Sequence, residues 1–521
     1  EILIGLVGSE MCIRDREYSV RNTAAAMISR ILALIMGFLT RVVFTHTLSA
    51  AYVGVNGLFW DILNVLSLSE FGIGTAITYA LYRPIAQHDI EKQKSLMALY
   101  RKFYRIVAWI VALAGAALIP FLDMLIKNRP DVPHLTFIYL LYLTNSVCSY
   151  ILIYKKTLID AHQMGYIGVT CQTFFWLIQD IFQILVLVFF RSFTGYLCIS
   201  ILCTIGNNLW ISGKADKMYP YLKEKETEKL SAEEKKGIFQ NMRAMLMHKI
   251  GNVVLNNTDN LLLSSMVGIA SVARYSNYHL VIASVKQVFD QTFQGINASV
   301  GNLGVSEDSD HVKAIFETTF FIGQWIYGFG AICLYELLNS FVEISFGQSY
   351  VFSRAVVFVL CLNFYITGMR QAALIFRDSL GLFWYDRYKA VAEAVLNLLL
   401  SILLAGKYGT IGVFMGTILS TAMTSLWVEP FILYRHALKS RVSVYFLKYI
   451  RYAFVMFLAG GCTDFLCSLV QGNVWKIFFG RLPICIFVPN MIFLLIYCRS
   501  REFGIVKDKT GKVLKRKYGH K

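Results

Sequence analysis

The sequence predicts an all-α, polytopic membrane protein, and three observations carry that prediction. Of its 521 residues, 56% are hydrophobic and only 16% charged, with a mean hydropathy of +0.54. Apolar segments of about 20 residues, the length an α-helix needs to cross a bilayer, recur along the whole chain. Polar residues inside them fall at helical rather than alternating spacing. The expected architecture is about fourteen transmembrane helices: two six-helix lobes in parallel repeat around a central cavity, plus two C-terminal helices.

Taken in order, residues 1–16 (EILIGLVGSEMCIRDR) read as a non-native leader. Ile2 to Val7 is too short for a signal-peptide core, no cationic region precedes it, and the string resembles translated sequencing-adapter sequence. The first lobe, 17–213, holds spans at about 23–45, 57–82, 104–126, 135–154, 166–190 and 195–213. A polar cytoplasmic linker, 214–240, breaks the pattern. The second lobe, 241–440, holds spans at about 241–266, 278–303, 315–338, 355–376, 390–406 and 411–434. Two further spans, near 452–470 and 477–498, occupy 441–498, and a basic cytoplasmic tail closes the chain at 499–521.

With the amino-terminal end inside, most of the 50 Lys and Arg residues fall in segments assigned to the cytoplasm. That asymmetry predicts a multi-pass protein of the cell membrane with both termini cytoplasmic. It also accounts for the net charge of +17 without a nucleic-acid partner, and suits the tail to anionic lipid heads. The 11 cysteines are scattered singly, with no C-x-x-C or Cys/His cluster, so neither a disulfide framework nor a metal site is expected. No Gly-x-x-x-x-Gly-Lys loop occurs, so ATP hydrolysis is unsupported and no cofactor is expected.

The halves repeat weakly. Asn22 to Ile31 (NTAAAMISRI) lines up with Asn241 to Ile250 (NMRAMLMHKI), which pairs Arg30 with Lys249. Both lie about seven residues into their helices, or ~10 Å deep at 1.5 Å per residue. Polar stripes mark the seventh and eighth spans. Lys249, Asn252, Asn256 and Asp259 share one helical face, as do Lys286, Asp290, Gln294 and Asn297. Ionisable groups cost several kcal/mol in hydrocarbon, so such stripes face protein or a water-filled cavity.

Each of these residues has a structural reading beside the functional one. Arg30 either contacts a ligand in the cavity or neutralises Glu70, near mid-depth in the second span. Lys286 either contacts such a ligand or is satisfied by Asp290 at i, i+4. Asn252, Asn256 and Asp259 either line the cavity, with a role in coupling, or act as interhelical glue. Arg41 and Asp61, near the outer ends of adjacent helices, read as a structural ion pair. Asp180 and Glu393 read as lobe packing, and Arg370 and Arg377 as side chains snorkelling to the interface.

Several stretches carry a family resemblance: YVGVNGLFWDILNVLSLSEFGIGTAITYALYRPIA in the first lobe, NNTDNLLLSSMVG followed by VARYSNYHLV, and FRDSLGLFWYDRYKAVAEAVLNLLLSILL with GTIGVFMGTILS. Over roughly residues 20–500 the chain resembles the polysaccharide-biosynthesis branch of the multidrug/oligosaccharidyl-lipid/polysaccharide exporters. It departs at Asn339–Gly347, where relatives often have a proline and a tryptophan. The resemblance implies a flippase rather than an enzyme. It would move an undecaprenyl-diphosphate-linked oligosaccharide from the cytoplasmic to the outer leaflet by alternating access. Membrane lipids, and the polymerase and glycosyltransferases of one surface-polysaccharide pathway, would be its partners. Such a cargo presents an anionic diphosphate, which Arg30, Lys249 and Lys286 would meet. Two alternatives remain: a drug or metabolite cation antiporter of the same superfamily, which would favour acidic cavity residues, and a membrane glycan polymerase or ligase, expected to need larger external loops.

Overall fold

The computed structural model describes residues 28–66, 87–122, 132–162, 164–224, 258–303, 309–380 and 388–507, with isolated positions between them. For 223, 291–303, 309–311 and 378–379 it describes the backbone alone. The described residues are helical, and ten helices are long and apolar enough to cross a membrane, or eleven if one bent pair is a single span. Parts of the predicted second and seventh spans lie outside the described residues.

The chain divides into two compact units, Glu1–Ala273 and Arg274–Lys521. The division lies beyond the linker expected at 214–240. Its cause is local: the helix ending in the π-turn Leu263–Val267 packs on the first unit. Asn260 on that helix donates to Asp61 at 2.7 Å. Just past it, Ile269 lies so close to Gly54 that a Cβ there would sit 2.5 Å from the Ile269 carbonyl oxygen.

The first unit contains α1 (Ile28–Thr47), α2 (Ala50–Leu66), α3 (Ile90–Ala117), α4 (Leu135–Tyr150), α5 (Tyr154–Ala161), α6 (Gly165–Phe190) and α7 (Phe193–Met218). Helix α3 starts well before the apolar stretch expected at 104–126. Asp89 caps it by accepting from the Lys92 amide at 3.0 Å, and the buried Lys94 amine reaches Glu91 at 2.7 Å and Glu224 at 2.5 Å. Its charged first turns are helical but carry no hydropathy signal. Helices α4 and α5 meet at a bend of 42°, where Leu152 takes a left-handed φ of 66°. Carbonyls freed at such a break need partners in a membrane. Asn208 of α7 supplies them, donating to Cys148 O at 3.0 Å and Ile151 O at 2.9 Å. Hydroxyls tie α1 to α6: Thr173 donates to Ser29 at 2.6 Å and Thr40 to Asp180 at 3.2 Å.

Helix α8 (Ile269–Leu303) runs from the division into the second unit. There follow α9 (Ser309–Phe346), α10 (Arg354–Met369), α11 (Gln371–Ser379), α12 (Lys389–Tyr408), α13 (Thr410–Met423), α14 (Ser425–His436), α15 (Ser443–Ser468) and α16 (Val474–Tyr497). The long α9 is the axis of this unit. Its Phe316, Phe320, Phe321 and Trp325 stack against Tyr445, Tyr452, Phe493 and Tyr497 of α15 and α16. Gln324, fully buried among them, accepts from the Tyr365 hydroxyl at 2.7 Å and donates to Tyr452 O at 3.0 Å.

Helices α12 and α13 form a tight hairpin through Gly409, whose φ is 56°. A Cβ at Gly416 would lie 2.5 Å from the Ser401 amide nitrogen, and one at Gly412 would lie 2.1 Å from Leu404 O. Backbone cannot give way as a side chain can, so Gly416→Val should destabilise by about 1–3 kcal/mol or more. Thermal melting of the detergent-solubilised variant checks this. A melting temperature equal to that of the parent would contradict the close packing.

Candidate functional site

The polar face predicted on the eighth span is present on α8. The Lys286 amine donates to Asp290 Oδ2 at 2.7 Å, one helical turn on. The other carboxylate oxygen accepts from the Tyr327 hydroxyl of α9. Tyr327 is fixed in place: its buried ring meets Phe289 edge-on, and it fills the space over Gly368, where a Cβ would come within 2.1 Å of the ring. Lys286 and Asp290 keep 27% and 31% of their side-chain surface exposed. The site is therefore a half-open, locally neutral pair whose carboxylate is anchored twice and whose amine has donors to spare. Gln294 and Asn297 continue the helix, described as backbone only.

Arg30 lies exposed on α1 and makes no hydrogen bond or ion pair among the described residues. Its neighbour Ser29 holds α1 against α6 through Thr173. Lys249, Asn252, Asn256 and Glu70 lie outside the described residues. Asp259 is buried, close enough to Asp61 for the two charges to interact. The expected Arg41–Asp61 ion pair is not made. Asp61 takes Asn260 as its donor instead, and the Arg41 guanidinium lies over the Phe44 ring at 6.0 Å. Equal depth on adjacent helices does not make two side chains point at each other.

Sequence reasoning missed a buried ion network. Arg370, at the α10–α11 junction, grips Glu429 of α14 with two bonds, Nε–Oε2 at 3.1 Å and Nη2–Oε1 at 2.7 Å. Its Nη1 lies 3.5 Å from Glu393. Lys389 bridges Glu429 and, at 3.1 Å, Asp386, which also receives Arg377 at 2.5 Å. Glu393 accepts from Thr421 at 2.8 Å and Ser425 at 2.5 Å. Arg370 and Arg377 thus turn inward to carboxylates rather than snorkelling outward. Among the described residues, three cations meet three anions in this network. The signal that could have found it is Glu429 itself, a carboxylate in the otherwise apolar SLWVEPFIL. A second neutral cluster joins buried Glu336 to Arg354 at 3.4 Å and Arg481 at 3.5 Å, with Asp464 taking Arg354 at 2.5 Å.

No family model matches the chain, and no curated protein matches it. Solved structures do. Lipid II flippase MurJ in an inward closed conformation is similar over 92% of this chain and 99% of its own, with a TM-score of 0.63 at 13% identity. An inward-facing multidrug resistance MATE family transporter of the MOP superfamily is similar over 79% and 98%, with a TM-score of 0.61 at 12% identity. The fold is that of the MOP transporters. A mutant of the Vibrio cholerae MATE transporter VcmN adds a third likeness, over 82% and 99%, with a TM-score of 0.55 at 14% identity.

Within that fold the Arg370–Glu429 network is architecture. Removing one partner strands a buried charge, which costs about 3–5 kcal/mol. Glu429→Leu should therefore lose most of its folded yield, and Arg370→Leu/Glu429→Leu should regain part of it, since Lys389 keeps Asp386. Size-exclusion profiles of the single and double variants check this. Equal losses in both would show that the pair is not coupled.

Proposed function

We propose that this protein is a flippase that moves a lipid-linked oligosaccharide, carried on an anionic polyprenyl diphosphate, from the cytoplasmic to the outer leaflet by alternating access. The support is a MOP transporter fold together with the sequence resemblance to its polysaccharide-biosynthesis branch. The observation that carries the charge assignment is the contrast between cations. Arg370, Arg377 and Lys389 are engaged by carboxylates, whereas Arg30 has no side-chain partner among the described residues, although it lies on an apolar helix. An unpaired guanidinium there favours an anionic ligand, and a diphosphate can take it through two parallel bonds. Lys249, its equivalent in the repeat, and Lys286, released from Asp290, would complete the grip.

A cation antiporter is the second reading, favoured by the proximity of the carboxylates of Asp61 and Asp259 in the first unit. Surface glycan separates the two. Arg30→Ala/Lys249→Ala should be made at normal abundance and reduce glycan export by at least about tenfold, the worth of one charge-assisted contact. Normal export by the well-expressed double variant would end the anionic-cargo reading.

The orientation is part of the same proposal: both termini and the polar stretch 214–240 face the cytoplasm. Ser231→Cys should react with an impermeant thiol reagent only after the cells are permeabilised, compared with the parent as background. Labelling in intact cells would reverse the orientation.

A further inference from the structure

Adjacent lysines at the start of α5 have different fates. The Lys155 amine is engaged, lying 2.8 Å from each oxygen of Asp216 and 2.8 Å from the Ser212 hydroxyl of α7. The Lys156 side chain makes no hydrogen bond or ion pair among the described residues. It lines a cleft of about 340 Å³ between the α4–α5 bend, α6 and α7. Its stem passes over Gly168, where a Cβ would lie 2.7 Å from Lys156 Cε, so α6 is cut back at the point the side chain crosses. Gln172 and Gln179, on one face of α6, also line the cleft and have no partner among the described residues. Thr204 and Asn207 of α7 and Trp176 of α6 complete the wall.

Among the described residues no carboxylate lines this cleft. Asp160, one turn beyond Lys156, is exposed on α5 and contributes charge at a distance rather than a contact. A lysine that serves the fold is expected to find an anion of its own, as Lys155 does with Asp216. The unpartnered amides likewise lack a structural task, whereas Asn208 beside them is consumed in holding the α4–α5 break.

We propose that this cleft binds a phosphate-bearing headgroup, with Lys156 supplying the charge and Gln172 and Gln179 the flanking donors. An ammonium and two carboxamides can together donate to several phosphate oxygens, and the Trp176 ring gives the cleft an apolar lip on the side where an attached glycerol or acyl chain would leave. Neither Arg30 nor the α8 pair is among the described residues that line the cleft, and the proposal does not depend on the cargo proposed above.

The test uses the full-length protein in detergent, titrated with dioctanoyl phosphatidylglycerol, with dioctanoylglycerol, which lacks phosphate, and with inorganic phosphate. Binding is read as the fluorescence change lost in Trp176→Phe and, independently, as retained lipid in native mass spectrometry. Phosphatidylglycerol should bind and dioctanoylglycerol should not. Lys156→Gln should weaken binding by about tenfold or more, and Lys156→Arg should restore most of it. Gly168→Val, which keeps the charge but displaces the stem, should weaken binding as well, and it carries the test if Lys156→Gln is not monodisperse. Binding of inorganic phosphate with the same dependence on Lys156 supports a site for the free anion, and binding of the lipid alone supports a headgroup site. Equal binding of dioctanoylglycerol, or parental affinity in both Lys156→Gln and Gly168→Val, would overturn the proposal.

Discussion

Glu429 is fully buried in a helix that reads as lipid-embedded, and the second unit is arranged around the need to keep that carboxylate company. A charge without water must be met by cations with good geometry, or it destabilises the fold that contains it. Arg370 comes from the junction of α10 and α11, Lys389 from the first turn of α12, and Glu429 from α14. Three elements distant in sequence must therefore converge before the network closes. The interruption between α13 and α14 serves the same end, because it leaves the Ser425 hydroxyl to meet Glu393. The cluster at Glu336 repeats the arrangement with Arg354, Arg481 and Asp464.

The same constraint separates structural from functional charge. A cation that builds the fold is expected to be saturated by the fold, as Arg370, Lys389 and Lys155 are. A cation kept for a ligand must be tolerated without one. It therefore belongs at an exposed position or in a cleft, which are the positions of Arg30 and Lys156, the two cations to which ligands are proposed above. Partner lists thus discriminate roles better than depth or hydropathy do.

Depth was nevertheless what the sequence could report. Lipid demands only that a segment be apolar and long enough, so the spans expected at 166–190, 390–406 and 477–498 reappear as α6, α12 and α16, within a few residues at most ends. The charged start of α3 and the break at Leu152 were not legible. The first is helical for reasons of capping and tertiary ion pairing, and the second persists because Asn208, more than fifty residues away, answers the freed carbonyls. Among site residues, the Lys286–Asp290 contact was legible because i, i+4 is a local relation. The Arg370–Glu429 pair spans 59 residues, and nothing in either helix names the other. The Arg41–Asp61 expectation failed for a related reason. Depth says how far along a helix a side chain lies, not around which side of it, and Asp61 faces Asn260.

The arrangement of Lys286 and Asp290 on α8 with Tyr327 on α9 bears on how a satisfied lysine could serve the proposed function. Withdrawing a cation from a buried carboxylate costs the full penalty of the stranded charge when nothing else holds it. Glu429 is in that position, fully buried and held mainly by Arg370 and Lys389. Asp290 is not. It has the Tyr327 hydroxyl as a second donor besides Lys286, and 31% of its side-chain surface is exposed. Under the proposed function, Lys286 would therefore exchange Asp290 for the cargo's anion at a smaller cost than Arg370 would leave Glu429. Tyr327 is the element that would make such an exchange reversible, because the packing of its ring over Gly368 and against Phe289 fixes the hydroxyl on Asp290 independently of Lys286.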